Sequence, residues 1–371
     1  MRTASRVGAV LGGVFGGALP PDVTVPEDAV PLHIGDTWRA PVAAVPSDAQ
    51  DPDWFRYAPV AGLEPLRHAC AARLARTTGA PARAEDVLIA AGATGALQAA
   101  VLALVDPGQT VAVLSPAWPL FGGMVRLAGG KVEPVVTLAS TPPEVLRRRL
   151  DALPPNTVAL YLNTPNNPTG DLYPEALLAE VVRWARARDA WILSDETYDV
   201  LVYEGAHRSI RALAPERTVV AWTFSKAYGM AGLRVGVLLS PACLSASVAR
   251  VATFTAYCAP RTGQGAALAA LEGGGLEWLR TTRAAYAQLG EHAASRLGVA
   301  SPPSGTFLFL DARELGWESA DALRAEAARQ GVLLAPGASF GPFPHHVRLC
   351  FTSAPPDAVR LGVARLAALR R

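Results

Sequence analysis

Among 34 lysines and arginines the chain has only two lysines, Lys131 and Lys226. Arginine supplies positive charge everywhere else, so the lysine inside Thr223-Phe224-Ser225-Lys226-Ala227-Tyr228-Gly229-Met230 points to a need for an amine. A guanidinium stays protonated, whereas a lysine can lose its proton and condense with a carbonyl as a Schiff base. A solvated surface lysine is the plainer alternative. Other chemistry-bearing residues also follow apolar runs. In Asn163-Thr164-Pro165-Asn166-Asn167-Pro168-Thr169-Gly170, two prolines and a glycine fix the loop and aim Asn167 at one place. Asp195 closes another run, with Tyr198 in the turn behind it, and a carboxylate at a buried strand end is costly without a cationic partner. Gly92-Ala93-Thr94-Gly95-Ala96 opens a helix whose first N–H groups attract a phosphate. That signal is weak alone: a plain tight turn reads equally well, and the GxGxxG spacing of a dinucleotide site is not met. Thr223, Ser225 and Arg234 bracket the lysine.

These residues need elements to bring them together. The runs 87–91, 110–114, 158–162, 191–194, 218–223 and 235–239 are apolar throughout, with helical stretches at 63–77, 94–104 and 174–188 around them. Fully apolar strands separated by helices predict a mostly parallel sheet covered on both faces, a three-layer α/β domain. Ligands bind beyond the carboxyl ends of such strands, which is where the residues above stand. After about residue 266 the pattern changes to long helical segments through Trp278, Tyr286 and Ala294. A strand at 306–311, a helix at 319–330 and strands near Val332 and Val347 follow, predicting a smaller α+β lobe. The expected division is a large domain at 41–279 and a small domain formed by 1–40 and 280–371.

Composition narrows the function classes. The chain is 371 residues long, too many for one small core. A formal charge of +2 with scattered basic residues gives no footprint for nucleic acid or an anionic membrane. Cys70, Cys243, Cys258 and Cys350 stand far apart with no CxxC pair, so neither a zinc site nor a disulfide framework is encoded, which fits a reducing cytoplasm. Arg2 and Arg6 before the apolar run 7–19 have leader-like character. No small-x-small cleavage site follows, Pro20-Pro21 comes next, and the run is too short to span a bilayer. An arm packed on the body is the expected reading. Gly337-Ala338-Ser339-Phe340-Gly341 matches the GxSxG nucleophile elbow, but the prolines that follow deny it the required helix. His345 and His346 lack the spacing of paired metal ligands and read as solvated loop residues.

Asn-Asn-Pro-Thr-Gly, Asp-x-x-Tyr, and Ser-Lys followed by Gly-Leu-Arg-Val-Gly occur here in one order. With them the chain resembles the fold type I pyridoxal-phosphate enzymes, specifically the class I and II aminotransferases, from Arg56-Tyr57 and Gly62-Leu63 to Arg348. The resemblance implies that Lys226 holds the cofactor as a Schiff base and then moves the substrate's α-proton. It implies that Asp195 faces the pyridine nitrogen and that Asn167 and Tyr198 bond the ring oxygen. Trp118, in Ser115-Pro116-Ala117-Trp118-Pro119, would stack on the ring. Ala93, Thr94, Thr223, Ser225 and Arg234 would hold the phosphate, and Tyr57 would reach the phosphate of the neighbouring subunit in a homodimer. Arg348 would clamp the substrate α-carboxylate under a loop carrying Gly35. Two departures stand out. The family's Gly-Glu-Pro is Gly35-Asp36-Thr37 here, so Asp36 or Trp38 becomes a candidate substrate contact. Where aspartate-specific members place a second arginine, this chain has Thr253-Phe254-Thr255, leaving Arg39, Arg250 or Arg261 as substitutes. The expected activity is ping-pong transfer of an α-amino group from a neutral or aromatic amino acid to a 2-oxo acid. One rival is a lyase, decarboxylase or cyclase using the same residues. The other is an aminotransferase-like sensor, for which the short N-terminal arm supplies no DNA-binding domain.

Overall fold

Apolar runs rich in Val, Leu, Ile and Ala assemble into a seven-stranded sheet in the order β1-β7-β6-β5-β4-β2-β3. The strands are β1 (Val87–Ala91), β2 (Thr110–Ser115), β3 (Lys131–Val136), β4 (Thr157–Asn163), β5 (Trp191–Asp195), β6 (Thr218–Thr223) and β7 (Val235–Leu239). Pairing is parallel from β3 through β2, β4 and β5 to β6, while β7 is antiparallel to both β6 and β1. The sheet belongs to a computed structural model that describes residues 19–42 and 52–371 together with positions 4, 7 and 10. The run 7–19, read above as a packed arm, otherwise lies outside the described residues.

Strand β3 was not legible as a strand. It lies at the sheet edge, most of its residues are at least partly exposed, and Pro134 sits within it. A proline removes a ladder donor, which an edge strand tolerates, and a strand whose faces stay partly exposed needs no apolar run, whereas β1 at the other edge is covered and apolar. The buried strands show the opposite: every residue of β2, β6 and β7 is buried. Side chains from both faces of the sheet pack against helices such as Glu64–Thr78, Gly92–Leu104 and Glu175–Ala187, and Trp184 and Trp222 are wholly enclosed.

Topology brings chemistry to one edge. The carboxyl ends of β1, β4, β5 and β6 and the amino end of β7 all point the same way. Asn163 pairs with Asp195, Thr223 with Gly236, and Ala91 with Val235, so the loops beyond these residues share one rim. Gly236 permits this closeness: a Cβ there would stand 2.2 Å from the Gly92 carbonyl carbon and 2.4 Å from the Ala93 nitrogen. Gly92 itself has φ +73°, a conformation glycine adopts without strain, and it turns the chain from β1 straight into the helix.

A second, antiparallel sheet has the order β8-β10-β9, with β8 at Phe307–Asp311, β9 at Ala335–Pro336 and β10 at His346–Cys350. Segment 30–38 runs alongside it. Val30 bridges to Val332, Cys350 N donates to Leu32 O at 2.7 Å and Trp38 N to Thr352 O at 3.0 Å. A separate buried cluster joins Val30 and Leu32 to Tyr198, Tyr286, Phe307, Phe351 and Val363. His346 departs from expectation. It is not a solvated loop residue but opens β10, half-buried, with its ring stacked 4.7 Å from that of Phe309 and edge-on to Phe343. An imidazole against aromatic rings gains contact area that isolated sequence reading does not register. His345 is exposed, and Gly337–Phe340 is a 3₁₀ turn that leads into β10 rather than into a helix. Among the described residues no helix is long and apolar enough to cross a membrane, and no group of three or more His, Cys, Asp or Glu is placed to hold a metal ion.

Candidate active site

Beyond the shared rim lies a cavity of about 320 Å³. It is lined by twelve of the thirteen residues assigned above to the cofactor or the substrate α-carboxylate: Gly35, Ala93, Thr94, Trp118, Asn167, Asp195, Tyr198, Thr223, Ser225, Lys226, Arg234 and Arg348; of the further candidates Asp36 lines it and Trp38 does not. The thirteenth, Tyr57, stands apart. Its side chain is 81% exposed and meets Tyr257 edge-on at 5.1 Å.

Lys226 occupies a single helical turn, Phe224–Ala227, directly after β6. Thr223 caps that turn, its Oγ1 accepting from Ser225 N at 3.2 Å and donating to Val235 O at 3.0 Å. The Lys226 ammonium donates to the Gly35 carbonyl. Burial pushes the pKa of this amine down, and the charges of Arg348 and Arg234 push it further in that direction, against Cys350 and Asp36. A lysine so placed can present the neutral amine that carbonyl chemistry needs.

Asp195 is 4% exposed. Its Oδ2 accepts from Tyr161 Oη at 2.9 Å, and its Oδ1 from Thr197 Oγ1 at 2.6 Å and Thr197 N at 3.2 Å. All these donors are neutral, so among the described residues the carboxylate has no cationic partner. Burial raises its pKa, with a smaller push from Glu196, against the hydrogen bonds that lower it. The chain on either side is pinned. Asn163 Nδ2 and Thr164 N both donate to the Asp195 carbonyl at 2.9 Å. Glu196 accepts from Ser194 Oγ at 2.9 Å and Ser209 Oγ at 2.6 Å, and its Oε2 lies 3.2 Å from His207 Nε2. Burial disfavours the His207 imidazolium, but the Glu196 hydrogen bond and charge outweigh it and raise its pKa overall.

Arg348, on β10, is fully buried, its guanidinium 4.2 Å from the centre of the Phe307 ring and 4.7 Å from that of Phe340. It donates to Asn167 Oδ1 at 3.0 Å and to the His33 carbonyl at 2.7 Å. The Asn167 loop is held in turn by Asn163 Oδ1, which accepts from Asn167 N at 2.6 Å, and by Asn166 Nδ2 donating to Pro116 O at 3.0 Å. Arg234 adopts φ +53° and leans over the start of the helix, its Nη2 only 2.6 Å from where a Cβ on Gly92 would be. Gly35 is tight as well, since a Cβ there would meet Phe307 Cζ at 3.0 Å.

Sequence reasoning missed several residues that line the cavity or support its lining. Tyr161, the Asp195 partner, sits inside a strand read only as apolar, and nothing short of the β4–β5 register reveals the pairing. Thr197 lay within the Asp-x-x-Tyr motif, and its spacing to Asp195 was a usable signal for a local hydroxyl cap. Phe307, Ile34, Leu120 and Ala231 form apolar walls that no motif marks.

The donor set fits pyridoxal phosphate. A buried carboxylate without a cation suits a protonated ring nitrogen, and an amine with a lowered pKa suits a carbonyl carbon. The first turn of Gly92–Leu104, with Thr223, Ser225 and Arg234, suits a phosphate. Fold and site together define a pyridoxal-phosphate-dependent transferase of nitrogenous groups. The chain belongs to the aminotransferase class I and II family, whose profile matches residues 31–366. It is 33% identical over 339 residues to a probable aspartate/prephenate aminotransferase of Thermus aquaticus, covering 88% of this chain and 85% of the relative. It is 32% identical over 336 residues to an arginine–pyruvate transaminase of Pseudomonas aeruginosa, covering 87% and 85%. Among solved structures, an aspartate aminotransferase single mutant of Thermus thermophilus superimposes with TM-score 0.88 at 30% identity over 100% of both chains. An N-succinyldiaminopimelate aminotransferase of Mycobacterium tuberculosis also gives TM-score 0.88, at 28% identity over 99% of this chain and 100% of that one.

Proposed function

We propose that this aminotransferase moves an α-amino group by a ping-pong route from an amino acid without a second carboxylate, neutral or aromatic, to a 2-oxo acid. The observation that carries the donor class is the cavity wall. Its cations are Lys226, Arg234 and Arg348, each with a task, and its other surfaces include Ile34, Trp118, Leu120, Ala231 and Phe307. None of the alternative arginines lines it. Arg39 faces the rings of Trp38 and Trp278, Arg250 is exposed, and Arg261 lies by the Tyr57 carbonyl and Asp53. The relatives' names run from aspartate and prephenate to arginine with pyruvate, so they do not choose among donors. Among the described residues of one chain, a side-chain carboxylate entering this cavity would find no further cation to receive it.

The cofactor, when bound, supplies the carbonyl that takes up the amino group and the ring that draws electrons from the substrate Cα. The protein's own residues do the rest. Lys226 Nζ would hold the cofactor's carbonyl carbon and, once displaced by the donor amine, would take the proton from substrate Cα and return it as general acid. Asp195 would keep a proton on the ring nitrogen. Asn167 and Tyr198 would bond the ring oxygen, Trp118 would cover the ring face, and Ala93, Thr94, Thr223, Ser225 and Arg234 would hold the phosphate. Arg348 fixes the α-carboxylate through a two-point bond, with Gly35 closing above it.

The same reading makes the active form a homodimer in the cytoplasm, with Tyr57 reaching the phosphate in the neighbouring subunit. Its support is the exposure of Tyr57, together with Phe55 at 74% and Phe254 at 86%, aromatic surface of a kind that partners cover. Sedimentation as a monomer at micromolar concentration would remove this part. The large domain at 41–279 and the small domain from 1–40 and 280–371 are likewise a reading, supported by the buried cluster that joins Val30 and Leu32 to residues 286–366.

A panel of amino acids mixed with cofactor-loaded protein tests the function. Neutral and aromatic donors are expected to convert the bound cofactor to its amine form, reversed by a 2-oxo acid, with aspartate and glutamate at least about tenfold slower. Rapid conversion by the dicarboxylic donors would refute the donor class.

A further inference from the structure

Tyr161 stands among Val158, Ala159, Leu160 and Leu162 in strand β4 and is wholly enclosed. Its ring lies nearly parallel to that of Phe121, with 3.8 Å between centres and 11° between planes. Phenylalanine would meet that packing equally well, so the buried hydroxyl needs an account of its own. It donates to Asp195 Oδ2 at 2.9 Å. Burial, and after it the Asp195 charge, push the phenol's pKa well up, so the hydroxyl keeps its proton and remains the donor. Strand register builds this contact. Tyr161 pairs with Leu193 and Asn163 with Asp195, which puts Tyr161 and Asp195 on one face of the sheet. The helix Pro119–Leu127, capped by the cavity residue Trp118, supplies the Phe121 ring that backs the tyrosine. Thr197 Oγ1 takes the other oxygen at 2.6 Å, so Asp195 accepts one hydroxyl on each side of its carboxylate.

A proton between a buried carboxylate and a ring nitrogen has two places to rest. Burial favours the uncharged arrangement, a carboxylic acid beside a neutral ring, while hydrogen bonds to the carboxylate favour the charged one. We infer that Tyr161 is a positioning residue for the reaction: its hydroxyl, with that of Thr197, holds Asp195 ionised and aimed, so that the shared proton stays on the cofactor's ring nitrogen. The inference rests on the proposed function and deepens it, since the protonated ring is the one that draws electrons strongly from substrate Cα. Tyr161 is not among the residues that line the cavity, so it acts through Asp195 rather than on the reacting atoms.

Tyr161→Phe keeps the ring stack and removes only the donor. In protein without cofactor, the Asp195 carboxyl carbon, followed by ¹³C NMR and assigned with Asp195→Asn, should titrate at higher pH in the variant, because a hydrogen bond to the charged form is gone. In protein loaded with cofactor labelled at the ring nitrogen, the ¹⁵N resonance should move from the protonated toward the unprotonated position. Removal of the Cα proton should slow roughly tenfold, with KM for the donor changed less than about twofold because Arg348 is untouched. Placed in Asp195→Asn, the same change should slow that step by less than about twofold, since no charged carboxylate is left for the hydroxyl to hold. A hydroxyl that served packing alone would cost the same in both backgrounds. Should Tyr161→Phe not fold, Thr197→Val removes the donor on the other oxygen and has to move both resonances in the same directions. Resonances that stay in place in the folded variant, or equal slowing in both backgrounds, would overturn the inference. Wild-type turnover in Asp195→Asn would instead remove Asp195 as the partner of the ring, and with it the reading on which this inference stands.

Discussion

Lys226→Ala protein is expected to lose the absorbance of the lysine-linked cofactor and to transfer amino groups at least about 10⁴-fold more slowly than wild type. Two functions disappear at once: the covalent hold on the carbonyl carbon, and the base that carries the α-proton. Arginine cannot substitute, which is the physical reason a chain so committed to arginine keeps a lysine here. The change should leave cofactor binding weakened but present, because the helix start at Gly92, Arg234, Asp195 and Asn167 remain. Burial lowers the pKa of the wild-type amine, so capture of the cofactor should persist to a lower pH than a free lysine would allow. Spectra and single-turnover rates of the two proteins, recorded across pH, decide the matter. An unchanged spectrum in the alanine variant would rule out Lys226 as the linking residue.

Asp195→Asn is expected to retain the cofactor yet slow removal of the Cα proton by roughly 10²- to 10⁴-fold. The wild-type carboxylate is buried among neutral donors, and burial has raised its pKa. Such a group is unfavourable in the empty site and is stabilised once a protonated ring nitrogen faces it. The amide cannot hold that proton, so electron withdrawal from Cα weakens. The empty variant should therefore fold at least as stably as wild type, since the cost of an unpaired buried carboxylate has gone. A primary deuterium effect at substrate Cα should grow in the variant. Wild-type turnover, or a large loss of stability without cofactor, would show that Asp195 is a structural acid rather than the partner of the ring.

Legibility in the sequence followed burial. Strands β1, β6 and β7 were readable to the residue because they are enclosed on both faces, which forces a run of apolar side chains with polar residues only at the ends. Strand β3 escaped because, unlike β1 at the other edge, most of its residues are at least partly exposed, so no apolar run is forced, and its unpaired edge tolerates Pro134. His346 was misplaced because its environment, the rings of Phe309 and Phe343, comes partly from another strand. Tyr57 was legible as a motif residue, but within one chain it is an exposed aromatic beside Tyr257.

What the amino-acid order determined by itself was the local chemistry. An amine sits next to two hydroxyls at a strand end, a carboxylate ends another apolar run, a glycine-rich turn opens a helix, and prolines stiffen the loop of Asn167. These follow from residue types within a few positions of one another. What only the tertiary structure decided was which groups face which. Tyr161 bonds Asp195 because β4 and β5 pair in one register, Arg348 meets Asn167 because β10 lies against the loop beyond β4, and Lys226 meets Gly35 because segment 30–38 follows β10. Each of those contacts joins residues that are distant in the chain. Local propensity carries no information about their separation, and the packing of buried side chains fixes it.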